Sequence, residues 1–194
     1  MDILHEAKVL MGKALRPVHA GEEKLVSHQP LVASMRTIQV ESDAFENNHA
    51  IPVKYSAEGA NVSPPLRWEN IPAGTRELIL ICEDPDAPFR KPFLHWTMIG
   101  IAPEAGRLPE GIPTIATPEM PQGAMQTENS AHKTGYYGPL PPEGHGPHHY
   151  HFQVFALDVP LGPEASKLDR DALIRKMSGH VLGWGEVIGV YERT

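Results

Sequence analysis

Two patterns of apolar residues divide this 194-residue chain. Over residues 1–16 they recur every three or four positions. Ile3, Leu4, Ala7, Leu10, Met11, Ala14 and Leu15 form one stripe, with Glu6, Lys8 and Lys13 away from its middle, which predicts an amphipathic helix. From Met35 onward the period shortens to two, or the runs become wholly apolar. Pro, Gly, Asn or Asp bounds each run, the punctuation of strands and turns. The candidate strands are Thr37–Val40, Ile51–Tyr55, Glu77–Cys82, Leu94–Ile101, Tyr150–Leu157 and Val187–Tyr191. A second helix is expected over Arg170–Ser178. Asp169 is its N-cap, Leu168 and Leu173 pair across its first turn, and Gly179 suits the position after its end. Residues 17–35 are mixed and polar and predict a loose lead into the first strand, and residues 103–135 predict a long surface excursion. Many strands and few helices imply an all-β dominated, sandwich-like core with a few peripheral helices. An N-terminal helical extension (1–34) precedes one domain (35–194).

Composition narrows the function classes. Twenty prolines and seventeen glycines are too many for a helical protein and lack any period, as expected for many turns. A net charge of −7, with no basic patch interleaved with aromatics, argues against nucleic acid and against anionic membranes as partners. Cys82 is the single cysteine, so no internal disulfide can form. Its place in an apolar strand reads as a buried hydrophobe rather than a reactive thiol. No apolar run approaches membrane-spanning length and no secretory leader pattern occurs, so no stable membrane insertion is expected and the cytoplasm is the expected location.

Three clusters carry candidate chemistry: Asp84-Pro85-Asp86-Ala87-Pro88, His95-Trp96, and the Pro/Gly-rich loop Gly138–His148 running into a strand. Side chains alternate along a strand, so Leu78, Leu80, Cys82 and Asp84 share one face and Glu77, Ile79, Ile81 and Glu83 the other. The same rule puts His148, Tyr150, Phe152 and Val154 together and turns His149 and His151 away. It groups His95 with Thr97 and Ile99. An isolated Asp-Pro-Asp reads most simply as a turn cap. Beside two imidazoles and a phenol, however, such carboxylates can fix a histidine tautomer while the N–H and O–H groups hold an anionic oxygen. Asp84, His95, His148 and Tyr150 are therefore expected in one concave site. Ala87–Pro88, in the tightest turn, is expected to be cis. A metal site at His149 and His151, spaced i, i+2, is the weaker reading, since no thiolate or His-Glu-x-x-His pattern joins them. No Gly-x-Ser-x-Gly elbow is present, so nucleophilic catalysis is not expected. No cofactor is implied.

The same motifs resemble the phosphatidylethanolamine-binding protein family, also called Raf kinase inhibitor-like. DPDAP at Asp84–Pro88, His95-Trp96 and GPLPPEGHGPHHY at Gly138–Tyr150 match its signature elements. Asn61–Trp68 is similar to its N-x-S-P-x-L-x-W segment, and the ending from Gly179 to Tyr191 is similar to its bacterial branch. The resemblance implies an antiparallel β-sandwich with a small anion pocket at one end and no generally assigned chemistry. Carried over by motif, Asp84, Asp86 and Pro88 form one wall, His95 another, Gly138, Pro141 and Pro142 the loop, and His148 and Tyr150 complete it. The implied ligand is a small anion such as phosphate or a phospholipid head group. Two alternatives stand beside a binding role: an interaction or enzyme-inhibitor module regulated through the pocket, and a weak hydrolase using the Asp/His cluster. His149 stands where the family usually has arginine, and the chain lacks the C-terminal helix of eukaryotic members, so kinase regulation does not transfer. The amphipathic stripe of residues 3–15, outside the resemblance, needs a surface to cover. Its own domain or a second copy, giving a homodimer, are the expected choices.

Overall fold

The structure, a computed structural model, describes residues 3–194. Met1 and Asp2, at the head of the expected helix, lie outside the described residues, as does the Ile3 side chain. Helix α1 (Ile3–Leu15) leads into three single 3₁₀ turns, Glu22–Lys24, Val26–His28 and Pro30–Val32. The strands are β1 (Gln39–Glu41), β2 (His49–Ala50), β3 (Leu66–Glu69), β4 (Glu77–Asp84), β5 (Phe93–Ile101), β6 (Arg107–Leu108), β7 (Met125–Gln126), β8 (His148–Leu157) and β9 (Val181–Tyr191). Helix α2 (Arg170–Met177) precedes β9. Its N-cap is Asp169, whose carboxylate accepts the Ala172 N–H at 2.8 Å.

Two sheets result. One has three antiparallel strands in the order β1-β3-β6, and the other six in the order β2-β9-β8-β4-β5-β7. β2 runs parallel to β9 and the other pairings in the large sheet are antiparallel. The expected wholly antiparallel sandwich thus gives way to sheets of unequal size, the larger one mixed. β4 lies between β8 and β5 and is buried along its whole length, which explains why both its faces are apolar in sequence. Leu78, Leu80 and Cys82 pack with Val40, Leu66, Trp68 and Leu108 of the small sheet. Ile79 and Ile81 pack on the opposite side with Val26, Val32, Leu173, Ile174 and Met177. Each such burial is worth roughly 1.5–3 kcal/mol, so the helical layer is as much a part of the fold as the second sheet.

Four expectations are corrected. Ile51–Tyr55 is no strand but leads into a 3₁₀ turn, Val53–Tyr55. Pro52 fixes φ and offers no N–H to a ladder, and Val53 is 58% exposed between buried Ile51 and Tyr55. Residues 17–35 are not a loose lead. Leu25, Val26 and Val32 are buried, and the N–H groups of Val26 and Ser27 donate to the buried side chains of Glu83 and Gln153 at 2.9 and 3.0 Å. Residues 103–135 are only partly a surface excursion, because they supply β6, β7 and the buried Leu108, Ile112 and Gln126. Ala87–Pro88 is trans, the cis bond among the described residues being Met120–Pro121. Asp84 Oδ1 closes the turn by accepting the Asp86 and Ala87 N–H groups at 2.8 and 3.1 Å.

Candidate functional site

The site forms where β4, β5 and β8 end together. β4 delivers Asp84, and β8, antiparallel to it, starts at His148 beside the same edge. Simple alternation would send His95 with Ile99 to the helical side of the sheet. A register shift between Cys82 and Glu83 corrects this: Cys82 pairs with Trp96 and Glu83 with Leu94, leaving His95 as the extra residue of a bulge. A bulge re-aims a side chain at the end of a strand, and His95 joins Tyr150 with ring centroids 5.0 Å apart.

Asp84, His95, His148 and Tyr150 line one cavity of about 330 Å³. His95 is the most exposed of the four, at 4%. Ala87, Pro88, Phe89, Phe93, Ala131, Tyr137, Leu140, Pro141 and Pro142 provide mostly apolar walls. Of the residues named from sequence, Pro88, Pro141 and Pro142 are among those walls, whereas Asp86 and Gly138 stand behind them. Asp86 Oδ2 accepts the His149 N–H and contacts its Nδ1, both at 2.8 Å. Gly138 donates its N–H to Asn61 Oδ1 at 2.7 Å. A Cβ there would lie 2.3 Å from the Tyr55 carbonyl, so only glycine lets the loop sit this close. His149 and His151 do not join as a pair. Each meets its own carboxylate, His149 at Asp86 and His151 Nδ1 at Glu186 at 2.9 Å.

Sequence reasoning missed Phe89, Phe93, Tyr137 and Leu140. The aromatics flanking DPDAP and the Gly-Tyr-Tyr-Gly run were the available signals. Phe93 and Tyr137 both pack on the His95 ring, with centroids 4.7 and 6.1 Å from it. Phe89 (56% exposed) and Leu140 (41%) form an apolar rim.

Hydrogen bonds decide which polar atoms remain for a ligand. Asp84 is fully engaged, through Oδ1 to the turn and through Oδ2 to His148 Nδ1 at 2.7 Å. His148 Nε2 meets His145 Nδ1 at 2.7 Å. His95 Nδ1 meets the Tyr137 carbonyl at 2.5 Å, so that nitrogen carries the proton and Nε2 is the ring atom left over. The Tyr150 hydroxyl is buried with no hydrogen-bond partner among the described residues. Burial holds His95 below the ordinary imidazole range, against the opposing pull of Asp84 and the Tyr137 carbonyl. Burial, then the Asp84 charge, pushes the Tyr150 phenol well up, which keeps it an O–H donor. The available pair is thus one phenol O–H donor and one imidazole nitrogen, His95 Nε2. Among the described residues no serine, threonine, cysteine or lysine lines the cavity, and burial, then the charge of Asp84 two residues on, raises the Cys82 thiol.

A family model described as phosphatidylethanolamine-binding protein matches residues 41–192. A UPF0098 protein of Pyrococcus horikoshii is 44% identical over 154 residues, covering 78% of this chain and 75% of its own. Another, from Methanothermobacter thermautotrophicus, is 40% identical over 158 residues, covering 80% and 99%. Among solved structures, a phosphatidylethanolamine-binding protein homolog from Chlamydia trachomatis superposes with a TM-score of 0.72 at 34% identity, covering 82% of this chain and 99% of that one. E. coli YbcL, described as a member of the mammalian PEBP family, superposes with a TM-score of 0.76 at 29% identity, covering 81% and 99%.

Proposed function

The chain belongs to the phosphatidylethanolamine-binding protein family, whose name implies ligand binding, and we propose that its own ligand is a small anion of the phosphate type carrying an apolar substituent. One observation carries the reading: a buried Tyr150 hydroxyl with no partner among the described residues stands beside an unengaged His95 nitrogen, in a cavity whose other buried polar side chains, Asp84 and His148, are already hydrogen-bonded. Leaving a buried hydroxyl unpaired costs about 1–3 kcal/mol, a cost that a ligand oxygen removes. The ligand oxygen accepts from Tyr150 O–H and from His95 Nε2–H once that ring is protonated. Asp84 and His148 form the fixed floor, since their polar atoms are already committed. Pro88, Pro141 and Pro142 hold the two loops in one shape and limit the reordering that binding requires. Phe89 and Leu140 at the rim suit the apolar substituent, as in a phosphoester of an alcohol or a lipid head group. Asp84 and His148 are tied up in hydrogen bonds and the Tyr150 phenol is held protonated, which favours a binder over a hydrolase. Calorimetry with phenyl phosphate and inorganic phosphate tests this. Saturable binding with phenyl phosphate tighter is expected, and phenol binding as tightly as phenyl phosphate would contradict an anion site.

A further inference from the structure

From the floor of the cavity a chain of contacts runs outward to α1. Asp84 Oδ2 faces His148 Nδ1 at 2.7 Å, His148 Nε2 faces His145 Nδ1 at 2.7 Å, and His145 Nε2 faces the Leu15 carbonyl at 2.9 Å. Asp84, His148 and His145 are all buried. Leu15 is the last residue of α1. We propose that His145 is a positioning residue that straps α1 onto the ligand loop, and that one proton shared along this chain sets whether the strap is closed.

Each of the three contacts is a hydrogen bond only if one proton lies in it. The Leu15 carbonyl can only accept, so the last contact needs a proton on His145 Nε2. The other two contacts need one each. Two neutral imidazoles carry two protons, so closing all three bonds takes a third. With it, the pair is an imidazolium beside the Asp84 carboxylate, or Asp84 itself is protonated. The buried set is neutral either way, the favourable condition for charges withdrawn from water. A positive charge near the end of α1 also faces the negative pole of that helix. Loss of one proton leaves a negative buried set and one contact in which two lone pairs oppose. The two contacts made by His145 can open without disturbing the sheet, because His145 precedes β8 whereas His148 and Asp84 lie in strands, and opening either one releases α1 from the buried Asp84–His148 pair.

The rest of the α1 interface is thin. Leu10 and Met11 are exposed at 70% and 62%, so the apolar stripe does not face the domain. Contact runs instead along Val9, Gly12 and Arg16. A Cβ on Gly12 would lie 1.9 Å from the Glu143 carbonyl, and Arg16 donates to the Gly144 carbonyl at 3.0 Å. The other charged or titratable groups around the strap are His5, which meets Glu143 at 3.1 Å, Arg193 on Glu143, His95 and Tyr150 on the cavity side, and the Asp86–His149 pair. His5 is a second imidazole tying α1 to the loop, so its contact must be separated from the strap.

A consequence for ligand binding rests on the anion reading above. An anion held by Tyr150 and His95, in the same cavity that His148 lines, favours the third proton, and linkage is reciprocal, so a bound anion tightens α1. The test is hydrogen exchange across residues 3–15 of the full chain, corrected for chemical exchange, at about pH 5.5 and 8.5, either side of the ordinary imidazole range. Wild type is expected to lose protection about tenfold at the higher pH, the scale of one charge-assisted hydrogen bond. His5→Gln should do the same. His145→Gln, which keeps an N–H for Leu15 but does not titrate, should be flat across the range. Sulfate at pH ~8.5 should restore protection in wild type and not in His145→Gln. Wild-type protection that ignores pH, or His145→Gln following the wild-type curve, overturns the strap. Absence of any sulfate effect at Tyr150 would refute the anion reading instead, and the pH comparison would still decide the strap.

Discussion

Tyr150 and His95 place stability and binding in opposition. Tyr150→Phe removes a buried hydroxyl that has no partner, so melting should show no loss of stability or a gain of up to about 1 kcal/mol. The same substitution should weaken phenyl phosphate about tenfold in calorimetry, since the one phenol donor is gone. His95 governs the pH dependence. Burial keeps its ring below the ordinary imidazole range, so at neutral pH it is uncharged and must take up a proton with the anion. Sulfate, which keeps its charge throughout, should therefore bind more tightly as pH falls from about 8 towards 5.5. The sign for stability is the reverse. Without an anion the unfolded state takes the proton first, so the contribution of neutral His95 is full above about pH 6.5 and is lost as pH falls towards its lower folded value. His95→Asn should flatten both profiles.

The elements owe their places to a few buried polar groups and close approaches. Glu83 is fully buried and pairs with Arg170 of α2, the Val26 N–H and Gln153. Arg170→Ala would strand that carboxylate, at a cost of about 3–5 kcal/mol, read as a large fall in the melting temperature. On β9, Gly185 lies under the segment leading to β1, and a Cβ there would sit 1.9 Å from the Ile38 carbonyl. Gly185→Ala should separate those segments and lose more than the 0.5–1 kcal/mol that glycine itself costs a strand. These features explain what the sequence made legible and what it hid. The central strands β4, β5 and β8 and helix α2 were readable because apolar runs and an Asp cap act locally. Asp84, His148 and Tyr150 followed from alternation. The His95 position did not, because a bulge depends on the partner strand and leaves no mark in its own. Residues 17–35 looked loose because their fixings, Glu83 and Gln153, lie far along the chain. The cis expectation at Ala87–Pro88 failed because the Asp84 side chain closes that turn without it.

At the scale of the molecule, the N-terminal segment grips both walls of the cavity. The Ala20 and Gly21 N–H groups donate to the carbonyls of Ala87 and Pro85 at 3.1 and 3.0 Å, while α1 rests on Glu143 and Gly144. Residues 25–32 also cover the helical face of the large sheet. A chain beginning at Pro17 should still unfold cooperatively in a thermal melt, whereas one beginning at Ser34 loses Leu25, Val26 and Val32, each worth roughly 1.5–3 kcal/mol, and should fail to fold. The central claim is narrower: an anion is held between Tyr150 and His95. It is tested most directly by titrating phenyl phosphate into isotope-labelled protein while recording the side-chain resonances of both residues. The account predicts saturating shifts at Tyr150 and His95 with one shared midpoint, and proton uptake on His95 Nε2. Saturation elsewhere in the chain, with these two resonances unmoved, would contradict it.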